Sequence, residues 1–257
     1  MLIYTVKRLL LAVLVAFTVS IVAFLLLRLS GDVATAIAGP SASAHDIEAI
    51  RKQYGLDKPL ARQYVEWAGG ALVGDLGDSY YFREKVSKIV AERIPVTLIL
   101  GGCALLFAVG LAIPLGVLAA VRANTWVDRL ALTVSVVGQA MPTFWFALLM
   151  IVLFGVMLRW LPISGSGTWL HFIMPSVALG YYASPALMRL TRAGMLDVLS
   201  SDYIRTARAK GLRPGTVLFK HALRNAINPL VTLFGFSLAG LLSGSFLVEV
   251  IFNWPGL

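Results

Sequence analysis

Charged residues are scarce in this chain, and five long runs contain none at all. Asp, Glu, Lys and Arg make up 14% of its 257 residues, whereas 58% are hydrophobic, and the mean hydropathy is +0.82. A helix of about 20 apolar residues crosses the hydrocarbon core of a bilayer. This composition excludes an ordinary soluble domain. The charge-free runs are residues 9–27, 94–121, 130–158, 170–188 and 225–248.

The runs also lack the alternation of polar and apolar residues that a membrane β-strand requires. Because backbone groups in lipid must be hydrogen-bonded internally, continuous apolar runs indicate helices. Lys7 and Arg8 precede the first run, but that run is long for a signal peptide and no convincing small-residue cleavage site follows it. The sequence therefore predicts an all-α polytopic membrane protein with five spans, the first of them retained.

The residue patterns typical of disulfide, nucleotide-binding and metal sites are also missing from the sequence. The single cysteine, Cys103, excludes a disulfide within the chain. No G-x-x-x-x-G-K-[ST] phosphate loop occurs, so nothing here is built to hold a nucleotide. His45 and His221 have no companions at metal-ligand spacing. We therefore expect no enzyme activity, cofactor or metal site. An intramembrane serine enzyme is a weak alternative, resting only on Ser164, Ser166 and His171.

The net charge of +9 is distributed in a way that indicates membrane topology and not nucleic-acid binding. Residues 189–224 hold eight Lys or Arg against two acids, whereas residues 29–93 hold eight against nine. By the positive-inside rule the first of these segments is cytoplasmic. The amino terminus is then also cytoplasmic, and the segment at 29–93 is external.

The external segment has the pattern of short capped helices. Ser43 or Asp46 is placed to cap one amphipathic helix, Pro59 to open a second, and Gly69-Gly70 to stop it. We expect a first transmembrane helix at 1–30, an external helical cap at 31–93, and a membrane domain at 94–257 that contains a cytoplasmic loop at 191–224.

The basic segment "DYIRTARAKGLRPG" of this loop predicts a short helix on the cytoplasmic side. Leu199, Tyr203, Ala207 and Gly211 recur at four-residue spacing, which places them along one helix face. The small side chains of this segment, at Ala207, Ala209 and Gly211, allow another surface to approach the backbone closely. Gly211 suits a left-handed helix stop. Such a narrow face suits docking in a groove of a partner, whereas the charges alone suit topology and contact with anionic lipid headgroups. The residues by themselves leave both interpretations open.

"RTARAKG" followed by "HALRNAINPL" resembles the EAA-type cytoplasmic loop of ABC importer permeases of the dipeptide, oligopeptide and nickel type. The external region "YGLDKPLARQYVEW" and the terminal "FNWPGL" resemble the same family. The resemblance implies the type I ABC importer transmembrane fold, with a sixth span expected beyond Leu257 in a chain that is truncated. It places the ATPase-coupling positions at Tyr203, Arg205, Thr206, Ala207, Arg208 and Gly211. Arg205 stands where the motif's glutamate is usual, and Asn228 where an apolar residue is usual.

The resemblance also implies an ATP-driven importer of the bacterial inner membrane and its partners. These are a second homologous permease, expected to be non-identical, two cytoplasmic ATPase subunits and a periplasmic binding protein. No nucleic acid is expected. Peptides lead as substrate, with nickel chelates, glutathione-like compounds and small glycoconjugates left open. A channel or secondary transporter is the alternative, but the five runs lack the ionisable residues that mark ion pathways.

Polar residues within the third and fifth runs are candidates for lining the translocation pathway. They serve equally well to hydrogen-bond across helices, and the sequence does not choose between the two roles. The six candidates are Ser135, Gln139, Thr143, Ser237, Ser243 and Ser245.

Overall fold

The structure is a computed structural model that describes residues 2–39, 41–79 and 81–257. Within these ranges helix is the only regular secondary structure, apart from an isolated bridge between Asp78 and Lys85. The chain divides into two compact units, Met1–Val90 and Ala91–Leu257. The predicted all-α architecture is confirmed for the described part of the chain.

The first unit contains α1 (Leu2–Leu29), α2 (Val33–Ala38), α3 (Ala44–Gln53) and α4 (Leu60–Leu72). The Ser43 hydroxyl accepts from the backbone N–H of Asp46, and the Asp46 carboxylate accepts from the backbone N–H of Ser43, which is a complete capping box. The predicted cap is confirmed. The Ser43 hydroxyl, which also donates to this carboxylate, holds the pKa of Asp46 below its ordinary value.

The prediction that Gly69-Gly70 stops α4 is wrong, because the helix continues through both glycines to Leu72. Glycine weakens a helix interior but does not end it. The end follows from Gly74, whose φ of 85° is left-handed. The N–H groups of Val73 and Asp75 then both donate to the carbonyl of Gly70.

Within the first unit, α4 packs against the second half of α1. The Tyr64 ring lies edge-on to Phe17 and Phe24, and its hydroxyl is 2.8 Å from the Ser20 hydroxyl. A helix of 28 residues is about 42 Å long, which exceeds the ~30 Å hydrocarbon core. The aromatic contacts with α4 give the second half of this long helix a protein partner.

The second unit is built on α5 (Val86–Val121), which starts in the first unit and remains helical through Pro95 and Pro114. The third predicted span is not one helix. It is divided into α6 (Trp126–Ala140) and α7 (Thr143–Met150), which continues as a π-helix over Ile151–Met157, with a bend of 102° between the two parts.

The bend follows from Pro142. A proline disfavours helical backbone at the residue before it, and Met141 is extended, with φ −82° and ψ 127°. The expectation of a single third span is corrected to a broken pair of helices.

The remaining helices are α8 (Leu170–Leu199), α9 (Asp202–Ala209), a π-helix (Thr216–Leu223), α10 (Arg224–Ala226) and α11 (Asn228–Ile251). By length and hydropathy, three helices of the described residues are able to cross a membrane, or four if the bent pair counts as one span. They are α1, α5 and α11, with the bent pair as the fourth.

The fourth predicted run lies in α8, which is not among these helices. The helix packs against α6, α7 and α11 and buries Leu179, Leu187 and Met195 almost completely. Because protein surrounds much of its surface, α8 does not require the uniformly apolar surface of a lipid-facing helix. Its polar content therefore fits a central position in the second unit.

Candidate functional site

The basic segment forms a helix that is separate from α8. At Ser201 the backbone is extended, with φ −72° and ψ 153°, so the chain changes direction before α9 begins. The carbonyl of Ser201 accepts the N–H groups of Ile204 and Arg205, and Asp202 in the first turn is favourable for the helix dipole. The predicted restart at Ser201 and Asp202 is confirmed.

The end of α9 is a Schellman motif. Gly211 has a φ of 74°, the N–H of Leu212 donates to the carbonyl of Ala207, and the N–H of Gly211 donates to the carbonyl of Arg208. This is the 6→1 and 5→2 pattern that closes a helix. The predicted left-handed stop at Gly211 is confirmed, and it turns the chain towards the π-helix over Thr216–Leu223.

The inner face of α9 consists of Ile204 and Ala207, which are 0% and 8% exposed. They belong to an apolar cluster with Val117 of α5, Met195 of α8 and Val217 of the π-helix. This cluster anchors α9 to the helices of the second unit.

The prediction that Ala207 belongs to an open face is therefore corrected, whereas the other two small residues, Ala209 and Gly211, are exposed. Ala207 is covered by its own chain and offers no surface to a partner, Leu199 belongs to α8, and Tyr203 accepts a hydrogen bond of 3.0 Å from Asn225 Nδ2. The four-residue spacing does not define one helix face, because the break at Ser200 and Ser201 places Leu199 in α8 and Tyr203 and Ala207 in α9.

The outer face of α9 is exposed and basic. Arg205 makes an ion pair of 3.3 Å with Asp202, but the two side chains are 77% and 89% exposed, so this pair contributes little to stability. The Thr206 hydroxyl donates to the carbonyl of its own helix at Asp202. Ala209 and Lys210 complete this face. The Arg208 side chain instead lines an apolar groove of about 500 Å³, beside Val121, Leu199 and Leu212.

Sequence reasoning missed two charged residues that join α8 to α6. Asp128 Oδ1 and Oδ2 accept hydrogen bonds of 2.6 Å from Nε and Nη2 of Arg192. The side chain of Asp128 is 3% exposed and that of Arg192 21%. No local signal indicates this pair, because its members lie 64 residues apart.

The six pathway candidates occupy different environments. Ser135 and Ser245 are buried, and their hydroxyls donate to the carbonyls of Pro185 and Leu242. Gln139 is exposed and accepts from Arg189 Nη1 at 2.9 Å. Ser243 is exposed, whereas Thr143 and Ser237 are half-buried.

The geometry at His171 gives no support to the alternative of an intramembrane serine enzyme. His171 Nδ1 is paired with the backbone N–H and hydroxyl of Thr168. Across the ranges that the structure describes, no group of three or more His, Cys, Asp or Glu side chains has the arrangement of a metal site.

Comparison with known proteins places the chain beside transport proteins. The family model described as binding-protein-dependent transport system inner membrane component matches residues 112–257, and the model of its N-terminal region matches residues 1–101. Proteins named glutathione transport system permease protein GsiC from Escherichia coli K12 and Shigella flexneri serotype 5b are similar along the whole chain. Each is 45% identical over 258 residues, and the match covers 84% of its length.

Proposed function

The chain belongs to the family of binding-protein-dependent transport system inner membrane components, and on that premise we propose that α9 is the element through which separate ATPase subunits act on it. The chain is a membrane permease subunit of an ABC importer, working with other components of that transporter, and is not itself an enzyme. ATP is hydrolysed on other subunits of such importers.

The observation that carries the proposal is the contrast between the two faces of α9. Its inner face is fixed by the burial of Ile204 and Ala207 among α5, α8 and the π-helix. Its outer face presents Arg205, Thr206 and Lys210 to solvent. A rigidly anchored helix with an exposed polar face transmits a push from a docked subunit with little loss in local bending. A role in membrane topology alone would require the basic charges of this segment but not the buried inner face that anchors α9.

The wider assembly is proposed on the family relationship. Two ATPases, a second permease and an external binding protein complete the importer, with the amino terminus cytoplasmic and residues 31–93 on the side of the binding protein. The named relatives favour a glutathione-like short peptide as the substrate. Among the pathway candidates, the exposed Gln139 and Ser243 and the half-buried Thr143 and Ser237 remain accessible from outside the helix cluster.

Co-purification of the assembled importer tests the docking role. Thr206→Glu places a carboxylate on the outer face without touching the buried cluster. We expect it to lower the recovered ATPase by at least about ten-fold, equivalent to roughly 1.4 kcal/mol, while the second permease is retained. The matched control is Ser166→Glu, which places the same carboxylate at an exposed serine of the loop between the π-helix over Ile151–Met157 and α8. Full ATPase recovery with Thr206→Glu contradicts the docking role and leaves the basic loop as a topology determinant.

Uptake measurements test the substrate. Proteoliposomes that contain the complete importer and its binding protein should take up radiolabelled glutathione only with internal ATP. Competition by unlabelled dipeptides or by a nickel chelate ranks the other substrate classes. ATP-dependent uptake of a competitor without uptake of glutathione would reassign the substrate but preserve the importer.

A further inference from the structure

An ion pair with a buried carboxylate and a half-buried guanidinium lies where the loop that carries α9 joins the helices of the second unit. Asp128 is in the first turn of α6, and Arg192 is in the last third of α8, about two turns before the helix ends at Leu199. The guanidinium donates two hydrogen bonds of 2.6 Å, one to each carboxylate oxygen. Such a bidentate pair fixes orientation as well as distance.

The carboxylate of Asp128 has a third partner in the loop before α6. The backbone N–H of Asn124, whose φ is 64°, donates to Oδ2 at 2.9 Å. One side chain therefore holds the turn between α5 and α6, the start of α6 and the end of α8 together.

Further contacts continue from this pair along the interface of α6 and α8. Ser135 donates to the carbonyl of Pro185 at 3.4 Å, and a Cβ added to Gly138 would lie 2.7 Å from the ring of Tyr181. From the ion pair to Ser135 and then Gly138, residue numbers rise along α6 as those of these partners fall along α8, so the two helices are antiparallel neighbours. The ion pair closes the end of this interface that is nearest to α9.

A buried ion pair is a poor device for stability alone, because apolar side chains of similar volume often stabilise a protein as well or better. Its advantage is geometric, since a bidentate pair resists both sliding and rotation of one helix against the other. Only Ser200 and Ser201 separate α8 from α9. A force on α9 is therefore delivered to the carboxyl end of α8, about two helical turns from Arg192.

We propose that Asp128 and Arg192 are positioning residues that lock α6 to α8, so that both helices move as one body when the ATPase subunits act on α9. This role rests on the proposed function of α9. It adds α6 to the helices that α9 moves. It also adds α7, which follows α6 after the bend at Pro142 and packs against α8. The ion pair itself touches neither substrate nor nucleotide in this scheme.

The test uses the complete importer in proteoliposomes, with ATP hydrolysis and substrate uptake measured on the same sample. Asp128→Asn keeps the shape but removes the charge, and Arg192→Lys keeps the charge but removes the second hydrogen bond. For both variants we expect unchanged ATPase recovery, hydrolysis within about two-fold of wild type and uptake per ATP lowered about ten-fold, the order of effect known for residues that carry coupling. Asp197→Asn, which changes an exposed carboxylate of α8, is the control.

A covalent replacement keeps the proposal falsifiable if these variants assemble poorly. In a Cys103→Ala background, Asp128→Cys and Arg192→Cys are joined by a short bis-methanethiosulfonate reagent. Recovery of uptake per ATP on joining, and its loss on reduction, supports a mechanical link. Uptake per ATP that stays low in the joined protein, or that is normal before joining, overturns it. If the wild-type chain recovers no ATPase, it is the docking role of α9 that fails.

Discussion

The hydroxyl of Thr97 donates a hydrogen bond of 2.8 Å to Oε1 of Glu249, and both side chains are buried. The backbone N–H of Leu257 donates to the same Thr97 hydroxyl at 3.1 Å, and Arg93 donates to the carbonyl of Gly256. A Cβ on Gly256 would overlap the Glu249 carboxylate. This cluster, Thr97, Glu249 and residues 256–257, fastens the segment after α11 to α5.

Thr97→Val should therefore destabilise the second unit. The substitution keeps the shape but leaves the buried Glu249 Oε1 without its donor and Leu257 without its acceptor, which costs about 1–3 kcal/mol. Thermal unfolding in detergent measures the loss. Thr133→Val is the control, because the Thr133 hydroxyl is exposed and bonds only within its own helix, to the carbonyl of Arg129. Equal shifts for the two variants would contradict the role of the cluster.

A second prediction concerns Gly116, at which α5 meets α8. A Cβ added there would lie 2.7 Å from both the Met188 carbonyl oxygen and Thr191 Cβ. Gly116→Ala should push the two helices apart and cost about 1–3 kcal/mol, as overpacking typically does.

Gly110→Ala on the same helix is the control for Gly116→Ala. Its added Cβ meets nothing within 4 Å, so the better helix propensity of alanine should leave stability unchanged or improved. Unfolding midpoints in detergent compare the two variants directly. A Gly116→Ala protein as stable as Gly110→Ala would show that the contact between α5 and α8 relaxes without cost.

Gly211→Ala tests the left-handed end of α9. Nothing lies within 4 Å of the added Cβ, so the penalty is confined to the backbone at φ 74° and amounts to about 1–2 kcal/mol. We expect the Schellman turn to rearrange and substrate uptake to fall, with the transmembrane helices intact.

Gly215→Ala is the matched control for Gly211→Ala. Gly215 is in the same loop with equally open surroundings but has a helical φ of −61°, which alanine adopts readily. Uptake into proteoliposomes compares the two. If both variants transport at the wild-type rate, the conformation of the turn does not matter for coupling.

The cap of α3 should respond to pH. The pKa of Asp46 is lowered from 3.8, chiefly by the Ser43 hydroxyl and then by the Ser43 backbone N–H. A carboxyl whose folded pKa is depressed stabilises the helix above its ordinary pKa, and this contribution is lost as pH falls through the folded value. Hydrogen-exchange protection of residues 44–53 should therefore be constant near neutral pH and fall below about pH 4.

Ser43→Ala removes the main cause of that shift. Loss of such a cap should speed exchange in α3 at neutral pH on the order of five-fold and flatten its pH dependence. Ser41→Ala, outside the helix, is the control. An unchanged pH profile in Ser43→Ala would show that other groups govern the acid response.

The predictions that the structure confirmed concern features that neighbouring residues determine. The capping box at Ser43 and the left-handed stop at Gly211 each depend on residues within one helical turn, and the apolar runs depend on composition over about 20 residues. The family resemblance rests on short contiguous motifs in the basic loop, the external region and the terminal segment, and such motifs can be read directly from the sequence. Stretches such as Gly69-Gly70 were misjudged because a glycine permits a helix end without enforcing one.

The sequence by itself thus determined that this is a helical membrane protein of the importer permease type. Only the tertiary structure decided which face of α9 is free. Ala207 is buried because α5, α8 and the π-helix converge on it, and no spacing within the loop reports that convergence. The pair of Asp128 and Arg192 is likewise set by packing across 64 residues, where periodicity carries no information about which side chains meet.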